Sequence, residues 1–216
     1  MAKSTKRKTS STRRTETDQA ERLIAALFAA AERHGWRKLT MSGIADEAGC
    51  SLKDALAVSP TRYALLGKAI QQADRKALGE MDGFTDDDTV RDRLFALLMA
   101  RFDAILPHRD GVRAILCGGI CDPGLHATIA VQGLCSMSRM LEAAGLSASG
   151  PIGLARAKGL ALVNANALRV WLDDDSDDLA KTMVALDKGL ARAESVALSL
   201  DPLARRRSDD TTGKTA

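Results

Sequence analysis

Apolar residues recur at helical spacing along most of the chain, and short runs of Gly, Pro, Ser and Asp cut that pattern into segments. The first stripe is Leu23, Ile24, Leu27, Phe28 and Ala31, which predicts a helix over residues 20–34 stopped by Gly35, with Trp36 packed under the following turn. From Leu39 to Leu66 the punctuation is denser. Thr40 is placed to cap a short helix whose inner face is Met41, Ile44, Ala45 and Ala48. Gly49 follows, where a helix end favours a left-handed glycine. Ser51 with Asp54 three residues on reads as the cap of the next helix, and Pro60 ends it. Helix, three-residue turn with glycine, helix is the helix-turn-helix pattern, whose second helix enters the DNA major groove.

Beyond residue 66 the pattern is longer-ranged. A helix is predicted over 61–79, with Ala64, Leu65, Ala69, Ile70 and Ala73 inward. Asp86, Asp87 and Asp88 precede a strongly periodic stretch, 89–106, and suit its N-terminus better than a metal ion. A short helix over 109–117 runs into a turn-rich joint, and 125–145 forms a long apolar helix rich in Met and Cys. Two more helices follow, to about 172 and 198, separated by Asp173–Asp175 and capped by Ser176. Their stripes read as a helical hairpin. The expectation is an all-α chain of about nine helices.

Composition agrees. The 216 residues are 45% hydrophobic and 27% charged, with only 3% aromatics, so Leu, Ala, Val, Ile and Met must form the interior. The net charge of +3 is uneven: residues 1–14 carry +6 and no acid, leaving −3 for the rest. Residues 1–19 are read as a disordered basic arm, suited to DNA phosphates or the adjacent minor groove, or else as a solubilising tail. Residues 200–216 are read as a second disordered stretch. There is no apolar leader and no 18-residue apolar run, so a cytoplasmic protein without a transmembrane segment is expected. Cys50, Cys117, Cys121 and Cys135 are then reduced thiols. Cys117 and Cys121 stand four apart without partners at zinc-finger spacing, and they are read as buried thiols rather than metal ligands. His34, His108 and His126 belong to no catalytic motif, so no catalytic residues, metal or cofactor are expected.

The run from Glu21 to Leu66 resembles the N-terminal domain of TetR-type transcriptional regulators. The matching residues are Leu27-Phe28, Ala31, Gly35, Thr40, Ile44-Ala45, Ala48-Gly49, Ser51, Pro60 and Leu65-Leu66. The chain departs from the family in the recognition helix. Leu56 and Ser59 stand where the family carries an aromatic Tyr-x-x-Phe, and Arg62 replaces its phosphate-binding lysine. The resemblance implies a helix-turn-helix head over 20–66 and a helical ligand-binding and dimerisation body over 67–199. Double-stranded DNA is the expected partner. Lys53 and Asp54 are the candidates for base edges, because lysine donates to guanine and aspartate accepts from cytosine. Arg13, Arg14, Lys38, Thr40, Ser51 and Arg62 complete the expected DNA contacts.

For the body, the spacing leaves plain packing and a ligand site both open. The resemblance implies a pocket for a small apolar ligand, with Phe102, Leu134, Met137, Met140, Leu141 and Leu162 as its lining. It also implies a homodimer through the last two helices, with Leu168, Leu179, Met183, Leu186 and Leu190 at the interface. A second resemblance covers Arg156 to Glu194, which looks like the C-terminal part of lipid-binding accessory proteins of ubiquinone biosynthesis. It rests on the Arg-x-Lys-Gly-Leu opening, the Leu-Arg-Val-Trp-Leu run and the Asp173–Ser176 turn. That family shares a TetR-like fold without acting as a repressor, so it implies an isoprenoid- or quinone-binding accessory protein.

Overall fold

The computed structural model describes the backbone of residues 5–200 and the side chains of residues 17–197; these are all-α, with no strand among them. The helices are α1 (Thr5–His34), α2 (Met41–Glu47), α3 (Leu52–Val58), α4 (Arg62–Ala77), α5 (Val90–Ile105), α6 (Arg109–Gly118), α7 (Pro123–Ala143), α8 (Gly150–Leu172) and α9 (Ala180–Leu200). Short 3-10 turns at Trp36–Lys38, Leu78–Gly83 and Leu106–His108 join some of them. Each helix foreseen from periodicity is present within a few residues of its expected ends.

The first helix is the exception. It begins at Thr5, so residues 5–19, expected as a disordered arm, are helical in backbone. A packed stripe from Leu23 onward supplies the nucleus, and each further turn then adds hydrogen bonds at little extra cost. The stretch expected as a disordered tail falls, from residue 201 on, outside the described residues.

The chain forms two units. The first takes residues up to Ala73 together with Ile105–Gly133; the second takes Asp74–Ala104 together with residues from Leu134 on. The first unit is therefore larger than the 20–66 head read from the sequence, because α6 packs along α1. Its core joins Leu23, Leu27, Phe28 and Ala31 of α1 to Trp36, Ile44, Ala55, Leu65, Ile115 and Leu125. Gly111 of α6 sits so close to α1 that a Cβ there would lie 2.6 Å from the Phe28 carbonyl oxygen.

The second unit buries Leu97, Leu98, Phe102, Met137, Met140, Leu160 and Trp171. The Phe102 and Trp171 rings pack with centroids 5.9 Å apart. Asp74, itself buried, accepts from Arg101 Nε at 3.0 Å, Ser136 Oγ at 2.6 Å and Arg139 Nη1 at 2.8 Å. At the turn between α8 and α9, Asp174 accepts from the backbone N–H and the hydroxyl of Thr182, at 2.8 and 2.7 Å. Burial opposes its charge, but the hydrogen bonds from Ser176 and Thr182 outweigh that and hold its carboxyl well below the ordinary range. α9 starts at Ala180, four residues beyond the expected cap Ser176 and without Asp177 and Asp178 in its first turn; the Ser176 Oγ still accepts from the Ala180 N–H at 3.0 Å.

Two expectations for the body need correction. Leu179, Leu186 and Leu190 are buried within their own unit, so they are unavailable to a second copy. The stripe that stood out in the sequence is the one α9 turns inward to pack on α8. Leu162 is 74% exposed and lies outside the interior that a pocket would need. Leu168 and Met183 are half-buried.

The glycines give a direct test of this packing. Gly111→Ala should destabilise the protein by about 1–3 kcal/mol, because its methyl would press on α1 backbone. Gly133→Ala, in α7 with nothing within 4 Å of the added Cβ, should raise stability by up to about 1 kcal/mol. Urea denaturation midpoints of the two variants check both signs.

Candidate nucleic-acid interface

The helix-turn-helix is closed by its own side chains and backbone. Thr40 Oγ1 accepts from the Gly43 N–H at 3.1 Å, capping α2. At the other end of α2, Gly49 takes a left-handed φ of 64°. Its N–H donates to the Asp46 carbonyl and the Cys50 N–H to the Ala45 carbonyl, at 3.2 and 3.0 Å. This pair of reverse bonds satisfies the carbonyls that a helix end leaves open. Ser51 then caps α3, its Oγ accepting from the Asp54 N–H at 3.1 Å and donating to the Asp54 carboxylate at 2.7 Å.

With Ala55 buried and Val58 half-buried, α3 presents Leu52, Lys53, Asp54, Leu56 and Ala57 outward. Leu52 and Leu56 are each 43% exposed. Lys53 makes no hydrogen bond or ion pair among the described residues. Asp54 is exposed but partly committed to Ser51. Lys38 and Thr40 come together at a recess of about 330 Å³, whose lining also includes His34, Asp46 and Glu47. Glu47 is ion-paired with Arg33. The side chains of Arg13 and Arg14 fall outside those described.

Arg62 departs from the expected phosphate contact. Its guanidinium is turned inward: Nη1 donates to the carbonyls of Trp36 and Leu39 at 2.7 and 2.8 Å. Nη2 donates to the Tyr63 hydroxyl at 3.2 Å and the Asp122 carboxylate at 3.1 Å, and the group lies 4.4 Å from the Trp36 ring centroid. A planar fork with five donors suits several acceptors at once, and here the acceptors are all internal. Lys68 is spent likewise, donating to the Val58 carbonyl at the end of α3.

Asp122, which the sequence did not single out, is the centre of this anchor. It accepts from Trp36 Nε1 at 2.8 Å, from the Tyr63 hydroxyl at 2.9 Å and from the Leu125 N–H at 3.0 Å, besides Arg62. The Trp36 bond is the largest influence on its carboxyl, followed by the Leu125 bond, and the pKa is held down at about 2 against an ordinary 3.8. An Asp immediately before Pro123 at the start of α7 is a cap signature, and that was the available clue.

In the second unit, Phe102, Met137, Met140 and Leu141 are buried and Leu134 half-buried. None of the six residues expected to line a pocket borders the open recess of about 500 Å³ lined by Lys76, Glu80, Ala96, Met99, Ala100, Asp103 and Ala104. No described helix is long and apolar enough to cross a membrane.

No protein-family model and no curated protein matches the chain. Solved structures do. A TetR transcriptional regulator from Nitrosomonas europaea superposes with a TM-score of 0.65 at 17% identity, over 81% of this chain and 97% of that one. One from Rhodococcus sp. RHA1 gives 0.57 at 16% identity, over 82% and 97%. A TetR-family regulator from Streptomyces coelicolor gives 0.55 at 19%, over 86% and 84%. The chain therefore has the TetR-type fold.

The anchor makes two measurable demands. Arg62→Ala should lower stability by about 2–3 kcal/mol, and Arg62→Lys should not restore it, since an ammonium cannot span two carbonyls and a carboxylate. Because the folded Asp122 carboxyl titrates below its ordinary value, its contribution is complete above about pH 4 and is lost as pH falls toward 2. Asp122→Asn should flatten that part of the acid-unfolding curve, as followed by circular dichroism.

Proposed function

We propose that this chain is a DNA-binding transcriptional regulator that acts as a homodimer. The observation that carries the reading is the fully capped α2–turn–α3 motif, with Lys53 and the small and apolar side chains of α3 facing outward. In a major groove, Lys53 would donate to guanine O6 and N7. Leu52, Leu56 and Ala57 would lie against thymine methyl groups, which reward apolar contact. Asp54, held partly by Ser51, would contribute less than Lys53. Lys38, exposed Arg37 and the basic residues Arg13 and Arg14 would hold phosphates, and Thr40 and Ser51 would act through the helices they cap.

The homodimer would form through the outward faces of α8 and α9. Leu162 and Val184, 74% and 52% exposed, with half-buried Leu168 and Met183, replace the inward leucines as interface candidates. A small apolar ligand held in the second unit, against Phe102, Leu134, Met137, Met140 and Leu141, would regulate by favouring one spacing of the two reading helices. Such a protein would work in the cytoplasm.

A second reading is supported by the same helix. Two leucines on the outer face of α3, together with an Arg62 that serves the interior, suit an isoprenoid- or quinone-binding accessory protein that no longer reads DNA.

A selection of duplex DNA followed by gel-shift titration at two salt concentrations separates these. The regulator reading expects a specific complex that weakens with salt. Lys53→Ala should weaken that complex by about 1–3 kcal/mol with the fold intact. No salt-sensitive complex, with an isoprenoid lipid in the mass spectrum of the purified protein, would establish the accessory role instead.

A further inference from the structure

Packing holds α3 weakly. The helix has seven residues, of which Ala55 is buried and Val58 half-buried, while the rest are exposed. One alanine methyl buries little apolar area, so burial alone leaves the tilt of so short a helix loosely specified. The bonds at its start are local. Ser51 and Asp54 bond each other, and the Cys50 N–H returns to the Ala45 carbonyl of α2. These fix the turn between α2 and α3 but not the far end of α3.

That end is held from α4. Half-buried Lys68 donates through Nζ to the Val58 carbonyl, one of the last carbonyls of α3 that no helical N–H can reach. Among the described residues, this is the only hydrogen bond to α3 from a side chain of another helix. The ammonium also stands at the negative end of the α3 dipole. Just beyond, fully buried Ser59 turns the corner, its hydroxyl donating to the Thr61 carbonyl at 3.3 Å. Earlier on α4, Arg62 donates to the Trp36 and Leu39 carbonyls ahead of α2. α4 thus grips the helix-turn-helix at its entry and its exit, each time through a cation on backbone carbonyls. Cys117 and Cys121, exposed and not buried as their spacing suggested, make no such tie.

We propose that Lys68 is a positioning residue for base reading: from α4 it fixes the tilt of α3, and so sets specificity without touching DNA. This role rests on the regulator reading. Lys53 and the outward apolar side chains of α3 can match base edges only at one angle of entry, because hydrogen bonds weaken steeply with misalignment. Phosphate contacts elsewhere tolerate a shifted α3, since they carry no sequence information. Loss of the Lys68 bond therefore costs specific binding and spares non-specific binding. A lysine that instead met a phosphate would weaken both, and its removal would lower the salt slope by about one.

The full chain carrying Lys68→Met keeps the apolar stem and removes the ammonium. For the duplex that the wild type selects, its affinity should fall about tenfold, the scale of one lost base contact. Affinity for random duplex should stay within about twofold, with the salt slope unchanged. Lys68→Gln, shorter and uncharged, should repeat most of that loss, and Lys68→Arg should restore specific binding, because a guanidinium can donate to the same carbonyl. Without DNA, amide hydrogen exchange should quicken in α3 and not in α1, while circular dichroism stays that of the wild type. A wild type that forms no specific complex sinks the regulator reading, and the DNA role of Lys68 with it. With that complex present, three results would overturn the positioning role alone: Lys68→Met binding the selected duplex as the wild type does, a salt slope lowered by about one, or unchanged exchange in α3.

Discussion

The first unit depends on one carboxylate and one guanidinium. Asp122 and Arg62 meet at 3.1 Å, and each also bonds groups from other parts of the unit. Arg62 covers the Trp36 and Leu39 carbonyls in the stretch leading to α2. Asp122 covers the indole N–H of a fully buried Trp36 and the first turn of α7. The entry to α2, the start of α4 and the start of α7 are thereby fixed with respect to one another. Aromatics make up only 3% of the chain, so packing alone offers few large rings to do this. A polar anchor fixes geometry in a way that interchangeable alanines and leucines do not.

Much of the architecture was readable from local rules. Thr40, Gly49 and Ser51 each do what their residue type and neighbours imply, because capping and left-handed turns are decided within a few residues. The α1 stripe is buried as its period requires. What escaped is long-range. Arg62 finds Asp122 across 60 positions, and Trp36 finds it across 86. A cation at the start of a helix after the reading motif looks the same in sequence whether it faces a phosphate or a carbonyl. The choice lies with partners that local spacing cannot reveal. The α9 stripe failed for a related reason. Periodicity says that Leu179, Leu186 and Leu190 share a face, but not whose surface that face meets.

The second unit shows a comparable limit in its interior. Methionines and Phe102 suggested an apolar cavity, and those residues are indeed inside. The same unit also buries Asp74, ringed by Arg101, Ser136 and Arg139, with Arg101 Nη1 reaching the Asn164 side chain at 3.3 Å. A buried charge is tolerable only with such partners, and removing any one strands the others. The interior is therefore divided between adaptable sulfur-rich packing and a polar cluster with demanding geometry. Only the former tolerates a change of shape cheaply.

The allocation of cations in the first unit bears most directly on DNA. Arg62 and Lys68 serve backbone carbonyls, and Arg33 pairs with Glu47. Lys53 and Asp54 leave α3 with no net charge, and exposed Arg37 and Lys38 are the remaining cations nearest the motif. If the head reads DNA as proposed, phosphate attraction would come largely from the basic N-terminal residues. Discrimination between bases would then rest on one lysine and on apolar contact with thymine methyls. Every phosphate that the motif itself leaves unneutralised lowers the salt dependence by about one unit of slope. The arginine where the TetR-type pattern carries a phosphate-binding lysine is the one that holds the starts of α2, α4 and α7 in register, so a reader of the proposed kind would give up electrostatic grip to secure its own fold.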